Sequence, residues 1–409
     1  MGHSDGARAG TADRPGMAVR PPADTAARPP ADTAVRPPAD APLAAPAAAP
    51  LAALRWLGPP EGPAIELLDQ TRLPAEETFL RCDSVPELVD AISRLVVRGA
   101  PLLGVAGAYG VALAAYRGED VVAAAAAITA ARPTAVNLSW GVSRALRSYQ
   151  AAAAGSGPVP AGESGALAAV AEAQAIATQD AAASAAMAEH GLTLVPAGAR
   201  ILTHCNTGGL VSAGAGTAFA VILAAHRAGK LAQLWVDETR PLLQGARLTA
   251  WEAGRAGLPH ALLSDSAAAS LMAAGQVDLV LTGADRIAAD GSVANKVGTY
   301  GLAVLAKHHS VPFVVVAPVS TVDLDAPDGA SITVEHRPAD EVTRIAGQPV
   351  APAGTHAYNP AFDVTPPDLV TAIVTEEGVI QPVTPGNLRV LGTPANDIAG
   401  PQSAVYVER

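Results

Sequence analysis

RILTHCNTGGLVSAGAG, running from Arg200 to Gly216, sets apolar Ile201 and Leu202 just ahead of a lone cysteine, Cys205, and then a turn carrying Gly208, Gly209, Gly214 and Gly216. The next run, Thr217–Ala228, has the spacing of an amphipathic helix. A strand, a glycine turn and a helix start in that order leave unpaired N–H groups at the positive end of a helix dipole. The segment therefore predicts an anion cradle that would also stabilise a thiolate at Cys205. A structural thiol buried in an α/β core accounts for the same residues, because free cysteine is among the most buried residue types.

Downstream the pattern repeats. Apolar strands are expected at Arg200–Thr203, Leu231–Val236, His260–Leu263, Asp278–Leu281 and Pro312–Ala317, with helices at Thr217–Ala228, Leu242–Gly254, Ser266–Ala274 and Val297–His308 between them. Such alternation builds a mainly parallel sheet covered on both faces, in which ligands gather at the carboxyl ends of strands. The polar residues of interest fall there: Cys205, then Asp237-Glu238-Thr239-Arg240, Asp265, and Gly283-Ala284-Asp285-Arg286. Asp285 follows VDLVLTGA, so its carboxyl sits at the mouth of a dry cleft where desolvation favours the protonated acid. Asn295 and Lys296 could offer an amide and a cation to an anion. His204 is expected to point away from Cys205, since adjacent strand residues face opposite sides. Asp237 is a second acid/base candidate, with pairing to Arg240 as the structural alternative.

Upstream, LRW and AIELLDQTRLP from Leu54 read as a short β-hairpin. Ser84 caps a helix with Leu88, Val89, Ile92, Leu95 and Val96 on its apolar face, and the helix is expected to stop at Arg98-Gly99-Ala100-Pro101, leaving Arg98 in a tight turn. Small-residue helices follow at Leu102–Ala115, Val121–Ala131, Trp140–Ala154 and Ala166–His190, with Arg132 and Asn137 displayed on the connection broken by Pro133. Residues 1–50 repeat VRPPADTA-like octads from Val19, Ala27 and Val35, a proline density that predicts a disordered tail. Towards the other end, ITVEH (Ile332–His336) reads as a loose strand, a helix is expected near Thr365, and residues 382–409 read as a flexible tail without a site. The expected organisation is a tail (1–50), a mainly helical domain (51–195), a catalytic α/β domain (196–381) and a C-terminal tail (382–409).

At 409 residues with a formal charge of −11 and 3% aromatic content, the chain suits neither a polyanion nor base stacking, which argues against nucleic acid. The two cysteines, Cys82 and Cys205, form no disulfide framework or zinc pattern, so no metal is expected and a cytoplasmic setting is. The longest apolar run, Leu102–Ala115, is too short and glycine-interrupted to span a bilayer, so no membrane partner is expected.

Taken together, LDQTRLP (Leu68–Pro74), VRGAP (Val97–Pro101), ARPTAVNL (Ala131–Leu138), LTHCNTG (Leu202–Gly208), DETRPLLQGARLTAWE (Asp237–Glu252), GADRI (Gly283–Ile287), ANKVGTY (Ala294–Tyr300) and NPAFDVTP (Asn359–Pro366) resemble the 5-methylthioribose-1-phosphate isomerases. That family is shared with the regulatory subunits of the eukaryotic translation-initiation guanine-nucleotide exchange factor. The resemblance implies a helical N-terminal domain, a Rossmann-like C-terminal domain, a homodimer, no cofactor, and an aldose–ketose isomerisation in methionine salvage. It implies Cys205 and Asp285 as the catalytic pair, and Arg98, Gly99, Ala100, Arg132, Gln244, Asn295 and Lys296 as substrate contacts. The chain departs from the family at Asp290-Gly291-Ser292, Gly209-Leu210-Val211-Ser212 and SDSAAASLM (Ser264–Met272), all flanking the expected site.

Isomerisation of a related phosphosugar, ribose 1,5-bisphosphate or 5-deoxyribose 1-phosphate, is the nearest alternative. A second phosphate would need a further basic cluster, and none is evident near the site motifs. A non-catalytic regulatory subunit would need neither Cys205 nor Asp285. A Rossmann dehydrogenase fits poorly, because the cysteine occupies the turn a pyrophosphate would approach and the glycine spacing is irregular.

Overall fold

The structure, a computed structural model, describes residues 52–132, 135–155 and 160–389. The expected tail at 1–50, the Pro133 break and the last part of the C-terminal tail lie outside the described residues. Among the described residues no helix is long and apolar enough to cross a membrane.

The first elements, β1 (Leu54–Leu57), β2 (Ala64–Leu68) and β3 (Phe79–Cys82), form an antiparallel sheet, one strand more than the expected hairpin. Helix α1 (Val85–Ser93) starts where Glu87 Oε2 accepts the Ser84 N–H at 3.1 Å. It ends earlier than expected, at Ser93, and Leu95, with a φ of 65°, turns the chain out of the helical path. Residues Arg98-Gly99-Ala100-Pro101 therefore open the next helix instead of closing this one. Gly99 (φ 93°) is the N-cap of α2 (Ala100–Arg117), and Pro101 sits in its first turn, where a missing N–H costs nothing.

Helices α3 (Val121–Ala130), α4 (Val136–Ala153) and α5 (Ala161–Leu192) pack around α2, which is buried along nearly its whole length. Small residues make this possible: a Cβ on Gly141 of α4 would lie 2.1 Å from the Gly104 carbonyl oxygen of α2, so the two backbones touch. Ile65, Leu88, Leu102, Leu113, Ile128 and Leu138 fill the core that these helices share with the small sheet.

A seven-stranded sheet follows, in the order β16-β15-β10-β7-β4-β5-β6. Its strands are β4 (Ala199–Thr203), β5 (Leu231–Asp237), β6 (His260–Leu263), β7 (Leu279–Thr282), β10 (Phe313–Val316), β15 (Ala372–Thr375) and β16 (Gly378–Ile380). All neighbours run parallel except β16, which turns back on β15. Alternate residues feed opposite faces: Ile201, Leu234, Leu281 and Val316 pack with α5 and α6 (Ala218–Arg227), whereas Leu202, Val280 and Val315 pack with α8 (Ala268–Ala273) and α9 (Thr299–His308). The helix expected over Leu242–Gly254 instead begins with a π turn at Gly245–Thr249 and continues as α7 (Ala250–Arg255).

The chain runs β4 to β5 to β6 outward on one side, then returns to lay β7 against the other side of β4. The order reverses at β4, and the crevice beyond its carboxyl end is the topological switch point. Above it, β8 (Arg286–Ala288) and β9 (Val293–Lys296) form a hairpin flanked by β11 (Val322–Asp323) and β14 (Phe362–Thr365).

Three expectations are corrected beyond β10. ITVEH makes no strand; only His336 bridges Pro360, and the nearby elements are α10 (Asp340–Thr343) and the hairpin β12 (Arg344–Ile345) with β13 (Gln348–Pro349). The helix expected near Thr365 is strand β14, a turn at Pro367–Leu369 and β15, because paired prolines halt a helix and AIVT is buried throughout. Residues 385–389 form the short helix α11, with Leu388 fully buried.

Candidate active site

Cys205 is the second residue after β4, and Asp285 comes three residues after β7, so the adjacent central strands deliver both to the switch point. They line one crevice together with Arg98 and Gly99 from the start of α2, Arg132 after α3, Gln244, and Lys296 at the end of β9. Two expected contacts lie off the lining. Ala100 is buried in the first turn of α2, and Asn295 turns its Nδ2 to Thr299 Oγ1 at 3.0 Å. The lining also includes residues to which no role in the site had been given: Ala135, Leu242, Ala361 and Phe362, which lie within the motifs, and Leu95, Leu103 and Arg337, which lie outside them. Arg337 adds one cation to those expected, a single residue and not the further basic cluster a second phosphate would need. In sequence it belongs to none of the site motifs, and backbone pairing of residues 336–337 with 359–360, just ahead of β14, brings it there.

The anion cradle is not where the glycine turn suggested. The first amides of α6 are satisfied by their own loop: Thr217 N–H donates to the Thr207 carbonyl at 2.8 Å and Phe219 N–H to Thr207 Oγ1 at 3.1 Å. Gly208 bridges Gly216 and faces Glu252, closing the turn on itself. Positive potential enters the crevice instead from Arg98, Arg132, Lys296 and Arg337, and from the N-terminus of α2.

Cys205 is held in left-handed backbone, φ 64°, which costs a non-glycine residue about 1–3 kcal/mol and persists only where the surroundings hold it. They do: its N–H donates to Thr239 Oγ1 at 2.9 Å and its carbonyl accepts from Thr249 Oγ1 at 2.6 Å. Arg98 Nη2 lies 3.5 Å from the sulfur, and Nη1 donates to Asn206 Oδ1 at 2.9 Å. Asn206 Nδ2 in turn donates to Glu252 Oε2 at 2.6 Å. A carboxylate, an amide and a guanidinium thus stand in series behind the thiol.

The electrostatics follow from dryness. Burial pushes the Asp285 carboxyl above its ordinary range, against the pull of Arg132, Arg98 and Lys296. Burial likewise pushes the Cys205 thiol up, against Arg98, and lowers Lys296, against Cys205 and Asp285. That direction runs against the thiolate expected at Cys205. Gln244 Oε1 and Arg132 Nε are buried with no hydrogen-bond partner, an acceptor and a donor at a site with room for a polar ligand.

Asp237 does not pair with Arg240. Its Oδ2 lies 3.1 Å from His204 Nδ1, whose Nε2 lies 2.9 Å from the Val297 carbonyl. Burial is the strongest influence on His204 and lowers it, but Asp237 outweighs it and the imidazole pKa ends raised. His204, Asp237 and Asp265 present ligand atoms within 4.8 Å of one another, the described side chains best arranged for a cation. Asp265, however, spends both oxygens on the amides of Thr239 and Arg240, each at 2.7 Å, and His204 spends both nitrogens, so the trio clasps the loops below the crevice. A larger cavity of about 510 Å³ lies between α4, α5 and Pro318–Asp325. Its charged lining, Asp180, Asp323, Asp325, Glu376 and Glu377, is wholly acidic and would repel a phosphoryl group.

Residues 96–382 match the model of the initiation factor 2 subunit family. A methylthioribose-1-phosphate isomerase of Pelotomaculum thermopropionicum is 50% identical over 345 residues, 82% of this chain and 93% of that protein. Among solved structures, 5-methylthioribose 1-phosphate isomerase from Pyrococcus horikoshii superposes with a TM-score of 0.75 at 39% identity, covering 83% of this chain and 95% of that one. The translation initiation factor eIF-2B subunit delta from A. fulgidus gives 0.70 at 40% identity, covering 83% and 99%.

Proposed function

The chain belongs to the initiation factor 2 subunit family and, within it, to the methylthioribose-1-phosphate isomerases, and from this we propose that the switch-point crevice is where it converts 5-methylthioribose 1-phosphate to 5-methylthioribulose 1-phosphate. This aldose–ketose isomerisation is a step of methionine salvage. The observation that carries the assignment of the site is the convergence of Cys205 and Asp285 on one dry crevice lined by Arg98, Arg132 and Lys296.

A sugar phosphorylated on its anomeric oxygen has no free aldehyde, so the ring must open first. Asp285, whose carboxyl burial shifts towards the protonated form, donates its proton to the ring oxygen as the C1–O bond breaks. Arg98, Arg132 and Lys296 hold the phosphoryl group, and Gln244 Oε1 accepts from a sugar hydroxyl. The cation left at C1 is quenched by hydride migrating from C2, while the C2 hydroxyl returns a proton to the Asp285 carboxylate and becomes the ketone. A thiol that burial pushes towards its protonated form is a poorer base for C2, which favours this shift over proton abstraction by Cys205. Cys205 then packs its polarisable sulfur beside the migrating hydrogen. Leu95, Leu103, Leu242 and Phe362 supply apolar wall for the methylthio group, which supports this substrate over one with a second phosphate.

The reading includes a homodimer in the cytoplasm, supported by the family resemblance and by two free cysteines. Ketose formation from purified 5-methylthioribose 1-phosphate, 5-deoxyribose 1-phosphate and ribose 1,5-bisphosphate tests it. A preference for either of the latter two would overturn the substrate, and no ketose from any would overturn the activity.

A further inference from the structure

We propose that Arg337 is a further phosphoryl-contacting residue of this crevice, held ready by Glu335 and Glu341. The inference rests on the isomerase reading but can be tested apart from it. Arg337 lines the crevice with Arg98, Arg132 and Lys296. Its guanidinium is fixed from behind: Nε lies 2.8 and 3.0 Å from the two oxygens of Glu341, Nη2 lies 2.6 Å from Glu341 Oε1, and Nη1 lies 2.8 Å from Glu335 Oε1. Asn359 Nδ2 donates to Glu341 Oε2 at 3.1 Å, and Arg337 N–H donates to the Asn359 carbonyl at 2.9 Å, so carboxylate and arginine backbone share one anchor. Those bonds use one N–H on each terminal nitrogen and leave the other on each, the paired donors that suit two oxygens of one phosphoryl group.

The two carboxylates also reach the neighbouring cations. Glu335 Oε2 lies 3.4 Å from Arg132 Nε but outside hydrogen-bond geometry, since both atoms remain without a hydrogen bond. Glu341 also acts electrostatically on Lys296, favouring its charged form. The acidic pair therefore links Arg337 electrostatically with Arg132 and Lys296, offsetting the repulsion among three cations of one crevice. A guanidinium needed only to tie down residues 335–341 would gain nothing from facing the crevice.

The test is titration of inorganic phosphate into the full chain by calorimetry, for the wild type, Arg337→Gln and Arg337→Lys, alongside steady-state ketose formation. Losing a charge-assisted pair of hydrogen bonds should weaken phosphate about tenfold or more in Arg337→Gln and raise KM in step, with kcat within about threefold. Phosphate affinity within about fivefold of the wild type in a folded Arg337→Gln overturns the proposal. Should that variant fail to fold, Arg337→Lys decides on the same fivefold criterion, since lysine keeps the charge but not the fork. Because phosphate binding needs no turnover, absence of ketose in the wild type would refute the isomerase reading while leaving this measurement intact.

Discussion

Replacing Glu252 by glutamine should flatten a pH dependence of stability that the wild type carries. Burial raises the Glu252 carboxyl from 4.5 to about 7, against the hydrogen bonds from Asn206 and Leu210 that favour its charged form. The folded chain therefore holds this proton more tightly than the unfolded chain. Its stabilising contribution is complete below about pH 4.5 and is lost as pH rises through about 7. At ~1.36 kcal/mol per unit, the gap between 4.5 and about 7 amounts to about 3 kcal/mol, or roughly 4 °C in Tm for a folded chain of this size. Glu252→Gln has nothing to titrate, but its amide must point a donor at Asn206 Nδ2 or at Leu210 N–H, a baseline cost of about 1–3 kcal/mol. Urea unfolding from pH 5 to 8 should find the variant clearly weaker than the wild type in acid, with the difference closing by about 2–3 kcal/mol on the alkaline side. Two curves running parallel to within about 0.5 kcal/mol over that range would refute the desolvated-carboxyl argument.

Asp285→Asn should lower kcat at least about a thousandfold while inorganic phosphate binds within about threefold of the wild type; a tenth of normal turnover would remove Asp285 as the acid. Since burial raises Asp285, its protonated form persists to higher pH than an ordinary aspartic acid's, so kcat/KM should hold through the acid range and fall as pH climbs past that raised pKa. A rate that instead rises with pH across that range would mean the carboxylate is the working form. Turnover in heavy water should leave C1 of the ketose free of deuterium if hydride migrates, and deuterium there would restore Cys205 as the base. Gly99→Ala would set a Cβ 2.2 Å from Val211 Cβ at φ 93°, where carbons in contact need about 3.5–4.0 Å. The start of α2 must shift and carry Arg98 with it, costing about a hundredfold in kcat/KM; wild-type kinetics in Gly99→Ala would show that Arg98 tolerates the move.

Periodicity revealed the sheet because each of its central strands is a short apolar run between helices, and His260–Leu263 agrees residue for residue with the observed strand. The switch point came with it, since strand ends are where polar residues interrupt those runs. Less regular signals misled. VVRGAP reads equally as a helix stop or a helix start, and Leu95 in left-handed backbone decides for the start. The glycine turn after Cys205 looked open to an anion, but Thr207 closes it with one carbonyl and one hydroxyl. His204 was rightly turned away from the sulfur, yet its partner Asp237 ends the neighbouring strand β5, a proximity fixed by strand pairing that no linear spacing records. Arg337 went unmarked for the same reason, because its backbone pairs with Asn359 just ahead of β14, the strand whose Phe362 lies against Lys296 of β9.

The crevice lining begins at Leu95 and is complete only with Phe362, which pairs with Lys296 from the far end of the folded sequence. On the ribosome, strands β4 to β10 can emerge and hydrogen-bond with one wall of the pocket still unsynthesised. A chain arrested short of residue 362 would lack that wall and also β14, β15 and β16, leaving β10 as an unpaired edge with its apolar faces uncovered. Premature termination there would cost the pocket and the edge of the sheet together, so the sequence from β14 onward serves the fold as much as the chemistry.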